Sequence, residues 1–241
     1  MGAELMAARN VALLFCLFLV SVIFPVYAED CNAQSCKGFI TPPLVKTLLN
    51  DGYEIIEIKK IFDLEYLFVT TSHDVNQCSI IFKIVHGKIE DTPSAGVDGK
   101  LCNISLHDKY VVSSWRDKGE WNDDVYKIIQ DKWTLLFRDA CVGCQQVKRI
   151  YKKDGKNNHT VLLSDGSDFL SREPLNGIVE ESKVHLYSGP KEREVLKAYL
   201  IRGDEFILSD MSDDGMFYKI IYKTPSGGKN YWIKSDSFSL K

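Results

Sequence analysis

Over most of this chain, apolar residues come in short alternating or β-branched runs rather than in helical spacing. Tyr53 to Lys59 places Ile56 and Ile58 on one side, and Leu64 to Thr70 and Ser79 to Val85 repeat the β-rich pattern. The same signal returns in Tyr110 to Trp115, Val125 to Ile129, Trp133 to Phe137, Gln146 to Tyr151 and Thr160 to Leu163. A period of two separated by polar turns predicts strands joined antiparallel. His86-Gly87, Pro93-Ser94, Asp98-Gly99, Asp154-Gly155 and Asp165-Gly166 are the turn signals between them. One stretch breaks the rule. Thr41 followed by Pro42-Pro43 reads as a hydroxyl cap and a helix start. Leu44, Val45, Leu48 and Leu49 then share a helical face, and Gly52 ends it. The predicted fold is mainly β: an antiparallel β-rich N-terminal domain with one short helix, followed by a smaller β-barrel.

Residues 11 to 26 form one uncharged apolar run. It is shorter than the ~20 residues that span a bilayer. Pro25 and then Val26-Tyr27-Ala28, compact at the −3 and −1 positions, match a signal-peptide cleavage site. Residues 1–28 are therefore expected to be a signal peptide and the mature chain to start at Glu29, with no membrane span after cleavage. The rest divides into a β-rich domain over 29–163, a connector over 164–180 rich in Ser, Asp, Gly and Pro, and a barrel over 181–241. Tyr199, Leu200, Phe206, Ile220, Tyr222 and Ile233 are the expected barrel core.

Of seven cysteines, Cys16 lies in the signal, which leaves six: Cys31, Cys36, Cys78, Cys102, Cys141 and Cys144. An even set in an exported chain reads as disulfides. Many pairings are open, and proximity favours Cys31–Cys36, Cys78–Cys102 and Cys141–Cys144. The 241 residues carry a net charge of −3, with 26% charged and 11% aromatic residues, which excludes a disordered chain. The near-neutral balance argues against a nucleic-acid partner, which selects a basic stripe.

The last 60 or so residues carry a recognisable order. Lys183 to Tyr187 leads into Ser188-Gly189-Pro190, and Tyr199-Leu200-Ile201-Arg202-Gly203-Asp204 follows. Asp214-Gly215-Met216-Phe217-Tyr218-Lys219-Ile220 and a closing Tyr231-Trp232-Ile233-Lys234 complete it. This quarter of the chain resembles a bacterial SH3-like domain, with Phe217 where that family usually has Trp. The resemblance implies a small barrel that binds or spaces, often in the cell envelope, and it makes peptidoglycan a candidate ligand. The preceding half resembles, loosely, exported β-rich inhibitor or immunity-type proteins of Gram-negative bacteria. The residues that carry this are Ser114-Trp115-Arg116-Asp117, Glu120-Trp121, Asp124-Val125-Tyr126 and Arg138 through Cys144.

Candidate chemistry is sparse. Cys141-Val142-Gly143-Cys144 lies between two strand runs, where a disulfide closing a turn fits better than a redox pair, which needs a helix N-terminus. Asp210, Ser212, Asp214 and Gly215 mimic the front of a calcium loop, but its closing Glu would fall at Ile221. Arg202-Gly203-Asp204 reads as a turn. Two Asn-x-Ser/Thr sites, at Asn103 and Asn158, matter only in a eukaryotic secretory route. No nucleophile elbow, P-loop, dinucleotide fingerprint or zinc-protease motif is present. No metal or cofactor is expected. The least generic cluster is Trp115, Arg116, Glu120, Trp121 and Asp124, read as a loop whose Trp and Arg could anchor a protein partner. The sequence therefore points to a periplasmic or secreted, non-enzymatic binding protein, such as an inhibitor or immunity factor for a toxin or hydrolase. The alternatives are an envelope protein that binds peptidoglycan through its barrel, and an envelope hydrolase with a hidden site.

Overall fold

The computed structural model describes residues 31–72, 74–96, 99–153, 156–166 and 168–241. The expected signal peptide, its cleavage site, Asp98 and the Asp154-Gly155 turn lie outside the described residues. Among the described residues the chain is mainly β, with one α-helix and several antiparallel sheets.

The first layer opens with a two-strand ribbon, β1 (Ser35–Cys36) and β2 (Phe39–Ile40), closed by the Cys31–Cys36 disulfide. Helix α1 (Pro43–Asn50) follows. Its cap differs from the expectation: Pro42 occupies the cap position, and the Thr41 hydroxyl donates to the Ala33 carbonyl at 2.6 Å. Proline at the start needs no amide partner, so the helix begins without a side-chain cap. An eight-residue helix is not stable alone, and Val45 and Leu48 hold this one down by burial on the sheet below.

Sheet 1 contains β3 (Tyr53–Ile61), β4 (Leu64–Thr71), β5 (Cys78–Val85), β6 (Lys88–Ile89) and β7 (Lys100–Cys102). It runs in the order β3-β4-β5-β6, with β7 also paired to β5. Its central strands are covered on both sides, which explains their unbroken apolar runs. Leu67, Val69, Ile80 and Phe82 face the helix, while Tyr66, Phe68 and Ile81 face the next sheet. Cys78 and Cys102 sit directly opposite in the β5–β7 ladder and are bonded.

Sheet 2 is a six-strand meander: β8 (Ile104–His107), β9 (Tyr110–Asp117), β10 (Glu120–Ile129), β11 (Lys132–Val142), β12 (Gln146–Lys153) and β13 (Lys156–Ser164). Its inner face lays Val111, Tyr126, Trp133 and Leu135 on sheet 1. Its outer face gathers Val112, Val125 and Phe137 under Phe169.

The third sheet is built from β14 (Asn176–Val179), β15 (Val184–Tyr187), β16 (Val195–Leu200), β17 (Glu205–Met211), β18 (Phe217–Thr224), β19 (Gly227–Lys234) and β20 (Phe238–Leu240). Strand order is β16-β15-β19-β18-β17-β14-β20, curled as a half-barrel around one core of Val179, Leu186, Leu200, Phe206, Leu208, Ile220 and Ile233. Of the expected core, Tyr199 instead points outward. It is 51% exposed on edge strand β16, with the Lys183 ammonium 4.5 Å from its ring. Gly177 is required by close approach, because a Cβ there would lie 2.3 Å from the Phe206 ring.

The stretch expected as a connector is packed. The Ser164 and Leu175 amides donate to the Glu173 and Leu162 carbonyls, Phe169 is buried on sheet 2, and residues 176–179 are strand β14. Leu162 of β13 enters the half-barrel core, Lys148 pairs with Asp210 at 2.7 Å, and Gln146 donates to the Tyr218 hydroxyl.

Candidate functional site

The segment from Trp115 to Asp124 is a hairpin rather than a loop. Strands β9 and β10 pair from Asp117–Glu120 to Tyr110–Lys127 and are joined through Lys118-Gly119, where φ is 49° and 91°. Positive φ at both turn residues suits the twist of a two-residue hairpin. Pairing then sorts the expected site residues onto two faces. Arg116 opposes Trp121 and Ser114 opposes Asp123 on the outer face, while Trp115 opposes Asn122 on the inner face.

On the inner face, Asp124 is buried at 3% exposure and accepts two bonds from Arg138, at 2.6 and 2.8 Å. The Trp115 ring lies 4.8 Å from the same guanidinium. Asp124 hydrogen bonding lifts the Arg138 guanidinium further above its already high range, against the opposing effect of burial. Asp124 is therefore occupied within the fold and is not a surface carboxylate, and Trp115 covers its partner.

Of the five only Asp124 is buried, and Trp115 is half-buried. Arg116 and Glu120 are exposed and Trp121 is half-buried. This end of the sheet is braced. Asn76, from the turn before β5, donates to the Arg116 carbonyl at 2.9 Å and accepts from the Arg116 amide at 2.7 Å. The Arg116 guanidinium donates to the Gly119 carbonyl, and Asn103 ties Val75 and Ser114 together. Asn103 therefore has its side-chain amide fully engaged, whereas Asn158 is exposed on β13. Across from Trp121, Val142 lies inside the Cys141–Cys144 disulfide, where Gly143 has φ 86° in a tight turn between β11 and β12.

A second charged cluster joins Asp139, Arg149, Arg172 and Asp123, which local sequence pattern does not bring together. Asp139, with no exposure, accepts two bonds from Arg149, each at 2.7 Å, and one from Arg172. Arg172 also approaches Asp123 at 3.7 Å, and Arg149 donates to the Phe169 carbonyl. Burial disfavours the Arg149 cation, but its bonds to Asp139 outweigh that, so its guanidinium is held above the ordinary range. Two carboxylates face two guanidiniums, which neutralises the cluster and straps residues 168–172 onto the outer face. Asp139 and Arg149 stand opposite each other in the β11–β12 register. Their one sequence signal is a charge set two residues from apolar neighbours on the same strand face, Asp139 beside Phe137 and Arg149 beside Val147. These groups are saturated by fixed partners, which suits support of a surface better than proton transfer.

The half-barrel adds a second surface. A cleft is lined by Pro190, Lys191, Glu192, Asp214, Met216, Phe217 and Lys234. Met216 is 58% exposed, and Phe217 is buried edge-on to Tyr187. Lys234 donates to Glu192 at 2.6 Å and holds that carboxyl below its usual range. Ser212 and Asp214 bond to one another and to the turn backbone, and Asp204 caps the Arg202-Gly203 turn through the Ile201 amide.

Comparison with protein-family models, curated proteins and solved structures finds no match to this chain. Three disulfides mark a protein that folds in an oxidising compartment. Among the described residues, no helix is long and apolar enough to cross a membrane.

Proposed function

We propose that this chain is a periplasmic or secreted, non-enzymatic binding protein of the inhibitor or immunity kind, and that it grips a protein partner with the β9–β10 end of sheet 2. The observation that carries this is the Arg116–Trp121 cross-strand pair, displayed on a surface already rigid before any partner arrives. Trp and Arg are the residue types that dominate interface energetics. Asn76 on one side and the Cys141–Cys144 turn on the other remove the ordering cost that a flexible loop would incur. Glu120 adds a carboxylate at the rim, where charge governs orientation and encounter more than affinity.

The test is an affinity comparison with the partner recovered from an envelope extract. Trp121→Ala is expected to weaken that complex by roughly thirtyfold, about 2 kcal/mol, with the fold intact. An intact fold that binds as tightly as before removes the hairpin from the reading. The cleft beside Met216 favours a second reading, an SH3-like module that binds peptidoglycan. Sedimentation with purified wall material, lost on Met216→Glu, would support that alternative.

A further inference from the structure

Of the three disulfides, Cys141–Cys144 is the most open to solvent. Both of its cysteines are half-buried, and Gly143 between them is exposed. Each of the other two bonds has a member sealed in the interior: Cys36 has no exposure and Cys102 is 7% exposed. A thiolate must reach a sulfur to exchange with it, so access ranks the three. Ring size ranks their weight in the fold. Cys78 and Cys102 are 24 residues apart, whereas Cys141 and Cys144 are three apart. A short ring removes little freedom from the unfolded chain, so opening this one leaves the fold standing.

Its effect is local. The β11–β12 ladder stops where Ala140 opposes Lys148. Beyond that point the turn is closed by the disulfide and by the Cys144 amide, which donates to the Cys141 carbonyl at 3.0 Å. On the other side of β11, Trp121 opposes Val142 while Asn122 opposes Ala140, so Cys141 is the extra residue of a bulge. Its φ is 59°. A left-handed bulge position ordinarily carries glycine, because a Cβ is crowded there. Cysteine takes it here, and the bond to Cys144 fixes the turn around it. That bulge is what sets Val142 opposite Trp121.

We infer that Cys141–Cys144 is a thiol-reducible latch, whose opening releases Cys141 from the left-handed backbone, frees Val142 from its place opposite Trp121 and loosens the β9–β10 end. In the opening step, one thiolate of a dithiol reductant attacks a sulfur of the pair. The Sγ–Sγ bond breaks, and the departing cysteine leaves as a thiolate that takes a proton. The reductant's second thiolate then attacks the mixed disulfide and releases the other cysteine. The reductant ends as its own disulfide, and Cys141 and Cys144 end as two thiols, having gained two electrons and two protons. Control of partner binding by this latch rests on Arg116 and Trp121 being the binding surface.

The full exported chain is titrated with dithiothreitol, quenched in acid, then denatured, alkylated and mapped by mass spectrometry. Cys141 and Cys144 are expected to label at roughly tenfold less reductant than the other four cysteines. With only this bond open, amide exchange should quicken by about tenfold over 120–122 and 141–147 and stay unchanged over 79–82. Cys141→Gly with Cys144→Ser should keep more of the lost protection than Cys141→Ser with Cys144→Ser, because glycine takes a positive φ freely. Reduction of all three bonds together, parent-like exchange in the opened chain, its global unfolding, or equal exchange in the two variants would overturn the proposal. Partner affinity is read separately and should fall by about tenfold on reduction. Affinity that reduction leaves unchanged, where Trp121→Ala weakens it, overturns the latch. Exchange that quickens while Trp121→Ala binds as tightly as the parent overturns the binding surface and not the latch.

Discussion

Replacing Asp139 by leucine should be among the most damaging single changes available in sheet 2. Its carboxylate receives two bonds from Arg149 and one from Arg172, and it has no exposure to water. Leucine is close to isosteric, so little cavity forms and the cost is electrostatic. Arg172 would keep the Gly166 carbonyl and Asp123 at 3.7 Å, and Arg149 would keep the Phe169 carbonyl. Two guanidiniums would still share a dry site with one distant carboxylate. An uncompensated buried charge costs about 3–5 kcal/mol, against a total stability of about 5–15 kcal/mol. With a urea slope of about 2 kcal/mol/M, the unfolding midpoint should fall by roughly 2 M. Amide exchange over 168–172 should accelerate most, because Arg172 and the Phe169 carbonyl tie that strap down. The companion variant Asp139→Leu/Arg149→Met/Arg172→Leu removes all three charges together and should recover most of the loss, since the penalty lies in unpaired charge rather than in missing bonds. A midpoint shift below about 0.3 M for Asp139→Leu, or a triple variant as unstable as the single one, would refute this reasoning.

Two further outcomes follow from the same packing. Burial raises the Tyr66 hydroxyl above its ordinary range, opposed by the bond it accepts from Trp133, and burial also raises Tyr53, with Asp51 adding to the shift. A raised folded-state value favours the protonated phenol, so their contribution is complete below about pH 10 and is lost as pH rises through the folded values. Denaturant midpoints measured on the alkaline side should fall less steeply for Tyr66→Phe than for the parent. Gly177→Ala should cost about 1–3 kcal/mol by overpacking, because its Cβ would meet the Phe206 and Phe238 rings at 2.3 and 2.9 Å. Adding Phe206→Leu should return part of that stability, and a Gly177→Ala midpoint equal to the parent's would show that the rings move aside at no cost.

Most strands were readable from the alternation alone, because a strand half-buried on a common core must place every second side chain inward. The unbroken apolar runs around Leu67, Val69 and Phe82 read only as strands, and the packing shows that cover on both faces of sheet 1 is their cause. The helix was also readable, although Pro42 rather than Thr41 caps it, since the hydroxyl found a carbonyl acceptor at Ala33 instead. Disulfide partners followed from proximity, and the ladder position of Cys78 opposite Cys102 supplies the reason. What the sequence could not decide was which face each residue of a hairpin takes. Trp115, Arg116, Trp121 and Asp124 are neighbours along the chain, yet pairing between β9 and β10 sends Arg116 and Trp121 outward and Trp115 and Asp124 inward. Tyr199 failed as a core residue for the same reason, since an edge strand turns one face to water. The Asp139–Arg149–Arg172 cluster joins positions 33 residues apart at its widest. Local pattern determines strand and turn because those obey short-range sterics and period. Ion pairs, clefts and free edges depend on register and on which sheet covers which, and those are set only when the whole chain has packed.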